Sequence, residues 1–373
     1  MSHFIATAEK PALPRPVDPF DQGVAGWLRR HLFSSWLSTA ITLVMLMLLG
    51  KLAWLFLDWA VLRAVWSVPS APSPDTQACR TADAGACWAL IREKYRFILF
   101  GLYPHAEQWR AALSVLIFIS LYPLSAGRRL WGWKLVILWV AGLATVFVLM
   151  YGGGMGLAYV PEDQWGGLPV TLMLATFGIA FALPLAVVVA LGRSSANPTV
   201  RTMCVIYVEL IRGIPLISVL FMASVMFPLF LPDGMNFSKL LRAQLGIVLF
   251  MGAYLSETIR GGLQAVPAGQ SEAAQSLGLG YWKTMLLVVM PQALTLVLPP
   301  IISLCIGLFK STSLVMIIGI FDLLNAGKRS IAEPAWQGFG AEAYIFVGAI
   351  YFTFCFSMAR FGAGLEKRLR RDR

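Results

Sequence analysis

Long apolar runs separated by short polar stretches recur along the chain. They lie near residues 37–57, 111–127, 135–152, 169–191, 213–231, 246–259, 286–308 and 341–360. A helix needs about 20 apolar residues to cross a bilayer. The pattern therefore predicts an all-α polytopic membrane protein with about eight transmembrane helices. The sixth run is short on apolar residues alone, and reaches full length only if its helix continues through Glu257 and Arg260 toward water. A further stretch, 314–324, is too short to cross and is expected at an interface. Residues 1–36 carry Pro11, Pro14, Pro16, Asp18 and Asp21 before the first apolar run, so that run is read as a retained anchor and not a cleaved signal.

Composition strengthens this picture. Of 373 residues, 58% are hydrophobic and 13% charged, with a mean hydropathy of +0.71. Soluble domains carry roughly 25% charged residues, which excludes an ordinary soluble enzyme. The net charge of +11 invites a nucleic-acid reading, but the basic residues are scattered between apolar runs and not gathered on one face. They report orientation instead. With eight spans and the N-terminus inside, 18 of the 30 Lys and Arg residues fall on inner segments, among them Arg29, Arg30, Arg193, Arg212 and Arg260. Eleven fall outside, and Lys51 lies within a span, where it is expected to snorkel. This asymmetry places both termini in the cytoplasm.

The segment 58–110 is the largest polar piece, rich in Pro and Ser before Cys79 and Cys87. Topology puts these cysteines outside, where an oxidising compartment would let them form a disulfide; the alternative is two free thiols. Cys204, Cys305 and Cys355 sit in or beside spans as small apolar residues. The three histidines are far apart in sequence and no CxxC pair occurs, so no metal site is expected.

The interruption between the sixth and seventh runs is the most informative stretch. Ser271 can cap a short helix beginning at Glu272, whose carboxylate suits a positive helix start. Ala273, Ala274 and Leu277 favour helix, and Gly278 and Gly280 end it. Its small side chains let another protein surface approach the backbone closely. The plain alternative is a loop that simply reverses the chain.

Glu272-Ala273-Ala274, three residues, Gly278, nine residues, then Val288, Met290 and Pro291 resembles the signature loop of importer-type ABC permeases. Glu257-Thr258-Ile259-Arg260-Gly261-Gly262, Pro291-Gln292-Ala293-Leu294, Pro299-Pro300-Ile301, Lys310-Ser311-Thr312-Ser313-Leu314 and Tyr207 to Leu216 resemble the polar amino-acid branch of that family, over about residues 169–361. The preceding 168 residues look like the amino-terminal extension of the general L-amino acid permeases, which carry three extra spans and an outer loop with two cysteines. Phe321-Asp322-Leu323-Leu324 and the stretch around Phe354 to Arg360 resemble the same subgroup. Ser311 stands where that family commonly has Asp, and Met290 where Leu is usual.

The resemblance implies a type I ABC importer permease core with an N-terminal three-helix extension: residues 1–168, a transmembrane domain at 169–361 and a basic tail at 362–373. It implies a subunit of an inner-membrane importer of L-amino acids that works with ABC ATPase subunits, a second permease subunit in a heterodimer and a soluble amino-acid-binding protein outside. Glu272, Ala273, Ala274, Leu277, Gly278 and Pro291 would form the ATPase-coupling loop. The sequence agrees that ATP hydrolysis belongs to a partner. Ala326-Gly327-Lys328-Arg329-Ser330 lacks the earlier Gly of a phosphate loop, and Arg329 sits where Ser or Thr is needed. No cofactor is expected.

Other polar residues carry paired readings. Glu209 and Arg212, like Glu257 and Arg260, are three apart and can meet on one helix face. They either gate or pin helix ends and contact a partner permease, or are interfacial ion pairs of small net stability. Pro299, together with Pro291 and Pro300, kinks a helix that either lines a pathway or merely suits packing. Thr312 and Ser313 either offer hydroxyls to substrate or cap the helix that follows. A secondary transporter driven by an ion gradient is the competing class, although such carriers commonly place ionisable groups near the bilayer midplane and the core spans here hold few.

Overall fold

The computed structural model describes residues 23–69, 75–125, 127, 132–154, 156–232, 235 and 237–371. Pro11, Pro14, Pro16, Asp18 and Asp21, which precede the first apolar run, lie outside the described residues. The chain divides into two compact units. One comprises the chain to Val65 with Gln77–Ala86; the other comprises Trp66–Thr76 and Cys87 onward.

In the first unit, α1 (Val24–His31) precedes α2 (Trp36–Leu57). The α2 start is capped reciprocally. Ser35 Oγ accepts from the Ser38 amide at 3.2 Å, and Ser38 Oγ accepts from the Ser35 amide at 2.9 Å, satisfying donors that a first helical turn otherwise leaves bare. The helix continues as a wide π turn over Asp58–Leu62, and Asp58 pairs with Arg63. The chain returns against this turn, with the amides of Ala86 and Gly85 donating to the carbonyls of Trp59 at 2.8 Å and Arg63 at 2.7 Å. A Cβ on Gly85 would lie 2.3 Å from the Trp59 oxygen, so this approach requires glycine.

The second unit contains α3 (Ala89–Phe100), α4 (Gln108–Ser125), α5 (Trp133–Tyr151), α6 (Gly167–Arg193), α7 (Pro198–Arg212), α8 (Leu216–Phe221) and α9 (Lys239–Ala265). It continues with α10 (Ala268–Ser276), α11 (Tyr281–Thr284), α12 (Met290–Leu296), α13 (Leu298–Ser311), α14 (Leu323–Ser330) and α15 (Gly340–Arg371). No β-strand occurs among the described residues. Among the described residues, six helical stretches are long and apolar enough to cross a membrane: Trp36–Leu62, Trp133–Tyr151, Gly167–Arg193, Lys239–Ala265, Leu298–Ile318 and Gly340–Arg368. The pair Pro198–Arg212 and Leu216–Phe230, bent by 104°, makes a seventh if counted as one span. The second apolar run of the sequence forms α4, whose first turn carries Gln108 and Arg110 and so falls outside that set.

At the centre, α6 and α9 pack along their length. Within a bilayer, helices associate mainly through close packing, because lipid is as apolar as Leu. Here glycines provide the fit: a Cβ on Gly178 would meet Ile247 Cγ2 at 2.8 Å, and one on Gly252 would meet Leu185 Cδ2 at 2.7 Å. A further contact of this kind joins α9 to α12, where a Cβ on Gly262 would lie 2.8 Å from the Ala293 carbonyl. Helices α6 and α9 are 27 residues each, about 40 Å at 1.5 Å per residue, longer than a hydrocarbon core of about 30 Å. The sixth apolar run does continue as helix through Glu257 and Arg260, to Ala265.

Two expected spans are broken helices. The run expected over 213–231 is entered through a sharp bend at Gly213–Pro215, after which α8 gives way to a π turn, Met222–Met226, and a 3-10 turn, Phe227–Phe230. Pro215 has no amide to continue the ladder of α7 and instead precedes α8 as its N-cap. The run expected over 286–308 divides at Val297. Pro299 and Pro300 occupy the first turn of α13, where a missing amide costs nothing, and Pro291 occupies the start of α12 after a π turn, Met285–Val289. The tail expected from 362 continues α15 as helix to Arg371.

A buried cation ties the helix ends around residue 150. Arg110 is fully buried. Its Nε donates to the Leu149 carbonyl at 2.7 Å, and its Nη1 to the Ala158 carbonyl at 2.8 Å and to Glu107 at 3.3 Å. Gly152, at φ +68°, makes room, since a Cβ there would lie 2.4 Å from Arg110 Nη2. Replacing Arg110 by Met leaves the Ala158 carbonyl without its donor, at about 1–3 kcal/mol, and the Leu149 carbonyl with only the longer bond from the Tyr103 hydroxyl at 3.3 Å. Both Arg110→Met and Gly152→Ala should lower the thermal unfolding midpoint in detergent; unchanged midpoints in both would show that the clamp contributes nothing.

Candidate functional site

The short helix α10 forms one turn earlier than the sequence suggests. Pro267, in an extended conformation, serves as its N-cap, and Ser271 lies inside the helix with its hydroxyl donating to the Ala268 carbonyl at 2.7 Å. The expected Ser271 cap is thus corrected: the proline already fixes the entry to the helix. The end is as expected. Gly278 adopts φ +80°, its amide donates to Gln275 at 2.9 Å and the Leu279 amide to Ala274 at 3.1 Å, capping the last carbonyls. Along the helix the motif residues divide by face. Ala274 is buried, whereas Glu272, Ala273 and Leu277 are exposed, Leu277 by 82%. Gln292 Nε2 donates to Gln270 Oε1 at 3.0 Å, so α10 is held against the start of α12, where Pro291 is exposed and Met290 buried.

Near the end of α9 that leads into α10, the charged residues form a network. Arg260 donates to Glu257 through Nε at 3.2 Å and Nη2 at 2.5 Å, as the spacing predicts. Glu209 and Arg212 do not form the expected pair. The partner of Glu209 is Arg193 Nη2 at 3.3 Å, while Arg193 Nη1 pairs with Glu257. Arg212 packs over the Tyr254 ring at 5.5 Å and stands 3.9 Å from Glu257. Position along α7 turns Arg212 toward α9, and the last residue of α6 fills the place the sequence argument gave to it. Arg193 was missed as more than an anchoring charge. Its only signal in the sequence is a cation ending a long apolar run, which many spans share.

The remaining site residues gather loosely. Thr312 and Ser313 do not cap the following helix. Their hydroxyls donate back to the Phe309 carbonyl at 2.8 Å and the Lys310 carbonyl at 2.9 Å, because the chain continues from α13 as a 3-10 turn, Thr312–Ile318. Thr312 is buried. Ser313 lines a cavity of about 330 Å³ with Lys310, Leu324, Tyr344, Val347 and Tyr351. Pro299, at the far end of α13, is half-buried away from that lining.

The cap of α14 is Asp322, which is fully buried. It accepts from the amides of Leu324 at 3.0 Å and Asn325 at 3.1 Å, while Thr171 Oγ1 on α6 accepts from the Leu323 amide at 3.0 Å. Burial pushes this carboxyl up from 3.8 to about 6, against the amide hydrogen bonds, which pull it down. The folded state therefore holds the proton more tightly than the unfolded chain. The resulting stabilisation is full below pH about 3.8 and is lost as pH rises through about 6. Unfolding midpoints between pH 4.5 and 7.5 should fall more steeply for the native protein than for Asp322→Asn; parallel slopes would refute the assignment.

Cys79 and Cys87 are buried and both are disulfide-bonded, whereas Cys204, Cys305 and Cys355 are free thiols. The Cys87 amide donates to Glu342 Oε1 in the first turn of α15 at 2.8 Å. No cluster of metal-binding side chains occurs among the described residues.

Residues 182–371 match the family described as binding-protein-dependent transport system inner membrane component. The chain is 45% identical over 96% of its length, and 97% of the relative, to the inner membrane amino-acid ABC transporter permease protein YhdY of Escherichia coli (strain K12). It is 36% identical over 96% of both chains to the glutamate/glutamine/aspartate/asparagine transport system permease protein BztC of Rhodobacter capsulatus. A solved structure described as an amino acid ABC transporter with histidines matches over 54% of this chain and 92% of that one, at 31% identity and a TM-score of 0.49.

Proposed function

The chain belongs to the binding-protein-dependent transport system inner membrane components, and from that premise we propose that it is the permease of an ATP-driven importer of L-amino acids. Two relatives matched over nearly the whole chain are named as amino-acid transport permeases, and this supports the substrate class. ATP hydrolysis falls to ABC ATPase partners, and a soluble binding protein delivers the solute. The ion-gradient alternative has no comparable support.

The observation that carries the mechanism is the faced construction of α10. Ala274 anchors the helix inward, while Glu272, Ala273 and Leu277 face outward on a support braced by Gln270–Gln292. An ATPase subunit that grips this face can move it without unfolding it, because Gly278 and Pro267 bound the helix as two hinges. We assign the coupling role to Glu272, Ala273, Ala274, Leu277, Gly278 and Pro291. Glu209, Arg212, Glu257 and Arg260 gate or brace the helix ends next to it, and Pro299, Thr312 and Ser313 belong to the solute pathway.

The same reading divides the chain into an accessory extension at 1–168, a transport core at 169–361 and a basic tail at 362–373. A second, different permease chain completes the pore, and the balance of Lys and Arg puts both termini in the cytoplasm. Cys79 and Cys87 then face the oxidising side and bond to each other.

Glu272→Lys and Gly278→Val should abolish ATP-driven amino-acid uptake in vesicles holding the complete importer, while membrane content of the protein stays normal. Undiminished uptake would sink the coupling role. Thiol labelling in intact cells should reach Cys79 and Cys87 only after reduction; full labelling without reductant would show that they are not bonded.

A further inference from the structure

The network beside α10 carries a more specific role than bracing a helix end. Arg193 is the last residue of α6, where the negative end of the helix dipole favours a cation. Its side chain is 11% exposed, and its planar fork reaches two carboxylates on two other helices: Nη1 to Glu257 on α9 and Nη2 to Glu209 on α7. A lysine has one nitrogen and cannot span both.

The two contacts are unequal. Glu257 is 25% exposed and faces three cations: Arg193, Arg260 at 3.2 and 2.5 Å, and Arg212 at 3.9 Å. Glu209 is 62% exposed and held at 3.3 Å. Charge-assisted pairs sheltered from water are stronger than exposed ones. The α6–α9 contact is therefore the firm one. It lies about 12 Å, eight residues at 1.5 Å each, from the end of α9, which leads through Val266 and Pro267 into α10.

We infer that Arg193 is a force-transmitting latch: through Glu257 it makes α6 follow any displacement of α10 and α9. Without the latch, a push on α10 still moves α9, but α6 receives it only through side-chain packing and the long Gln244–Leu174 contact at 3.5 Å. The latch thus sets how much solute moves per ATP hydrolysed, without contacting either. Arg193 and Glu257 are positioning residues. This inference rests on the importer reading above.

The test is uptake and ATP hydrolysis measured together on the complete importer reconstituted in vesicles with its ATPases and binding protein. Arg193→Gln and Glu257→Gln should lower uptake per ATP on the order of tenfold, within the range usual for coupling between sites, with hydrolysis continuing. Arg193→Lys, whose single ammonium can still meet Glu257, should hold the ratio well above that of Arg193→Gln. Glu209→Gln should leave the ratio near that of the native protein, because its contact is the weaker one. A purely structural role would lower the amount of assembled importer and both rates in proportion, leaving the ratio unchanged; that result in Arg193→Gln and Glu257→Gln would overturn the inference, as would a fall in Glu209→Gln equal to theirs. Absence of ATP-driven uptake by the native complex would overturn the importer reading itself.

Discussion

The close approach of α6 and α9 is the contact on which the second unit depends. Two 27-residue helices meet at Gly178 and Gly252, where any Cβ would clash with the facing side chain. In a bilayer the hydrophobic effect does little to hold helices together, so the backbone has to approach closely for dispersion contacts to accumulate. Residues 167–176 at the start of α6 are all buried, and α3, α4, α13 and α14 pack against this helix. The same pair carries charge at its end, where Arg193 and Glu257 add a directed contact to a surface that is otherwise mostly apolar.

Ionisable groups are few, and several that are buried or half-buried sit at helix ends. Arg110 uses carbonyls left over where α5 ends, Asp322 uses amides left over where α14 begins, and Arg193 sits at the last residue of α6. Helix termini leave backbone groups unsatisfied, and these are the positions where a charged side chain gains partners without breaking a ladder. Such residues fix how helices are joined, and in this protein the joints are the parts a partner subunit can act upon. Exposed α10 is the clearest of them, with Glu272, Ala273 and Leu277 outward and Ala274 buried against its support.

Prolines contribute in the opposite sense. At Pro215, Pro291, Pro299 and Pro300 the amide is missing, and each sits at the start of a helical segment or just before one. The spans around them are jointed, with π turns before Pro291 and after α8. Segments of this kind can change their relative angle at small cost, which suits a pathway that opens alternately to the two sides.

The sequence by itself determined the class of the molecule. Runs of about 20 apolar residues leave the backbone no option but helix, and the spacing from Glu272 to Gly278 and Pro291 located the short helix between α9 and α12 to within a turn. The Glu257–Arg260 pair was legible because residues three apart share a face of one helix. Only the tertiary structure decided the partners of Glu209 and Arg193, the burial of Arg110 and Asp322, and the sharp bend at Gly213–Pro215 where the run expected over 213–231 begins. These depend on which helices lie side by side and how they are rotated. Apolar periodicity cannot report that when a helix is hydrophobic on every face, because then no face is marked as the one to bury.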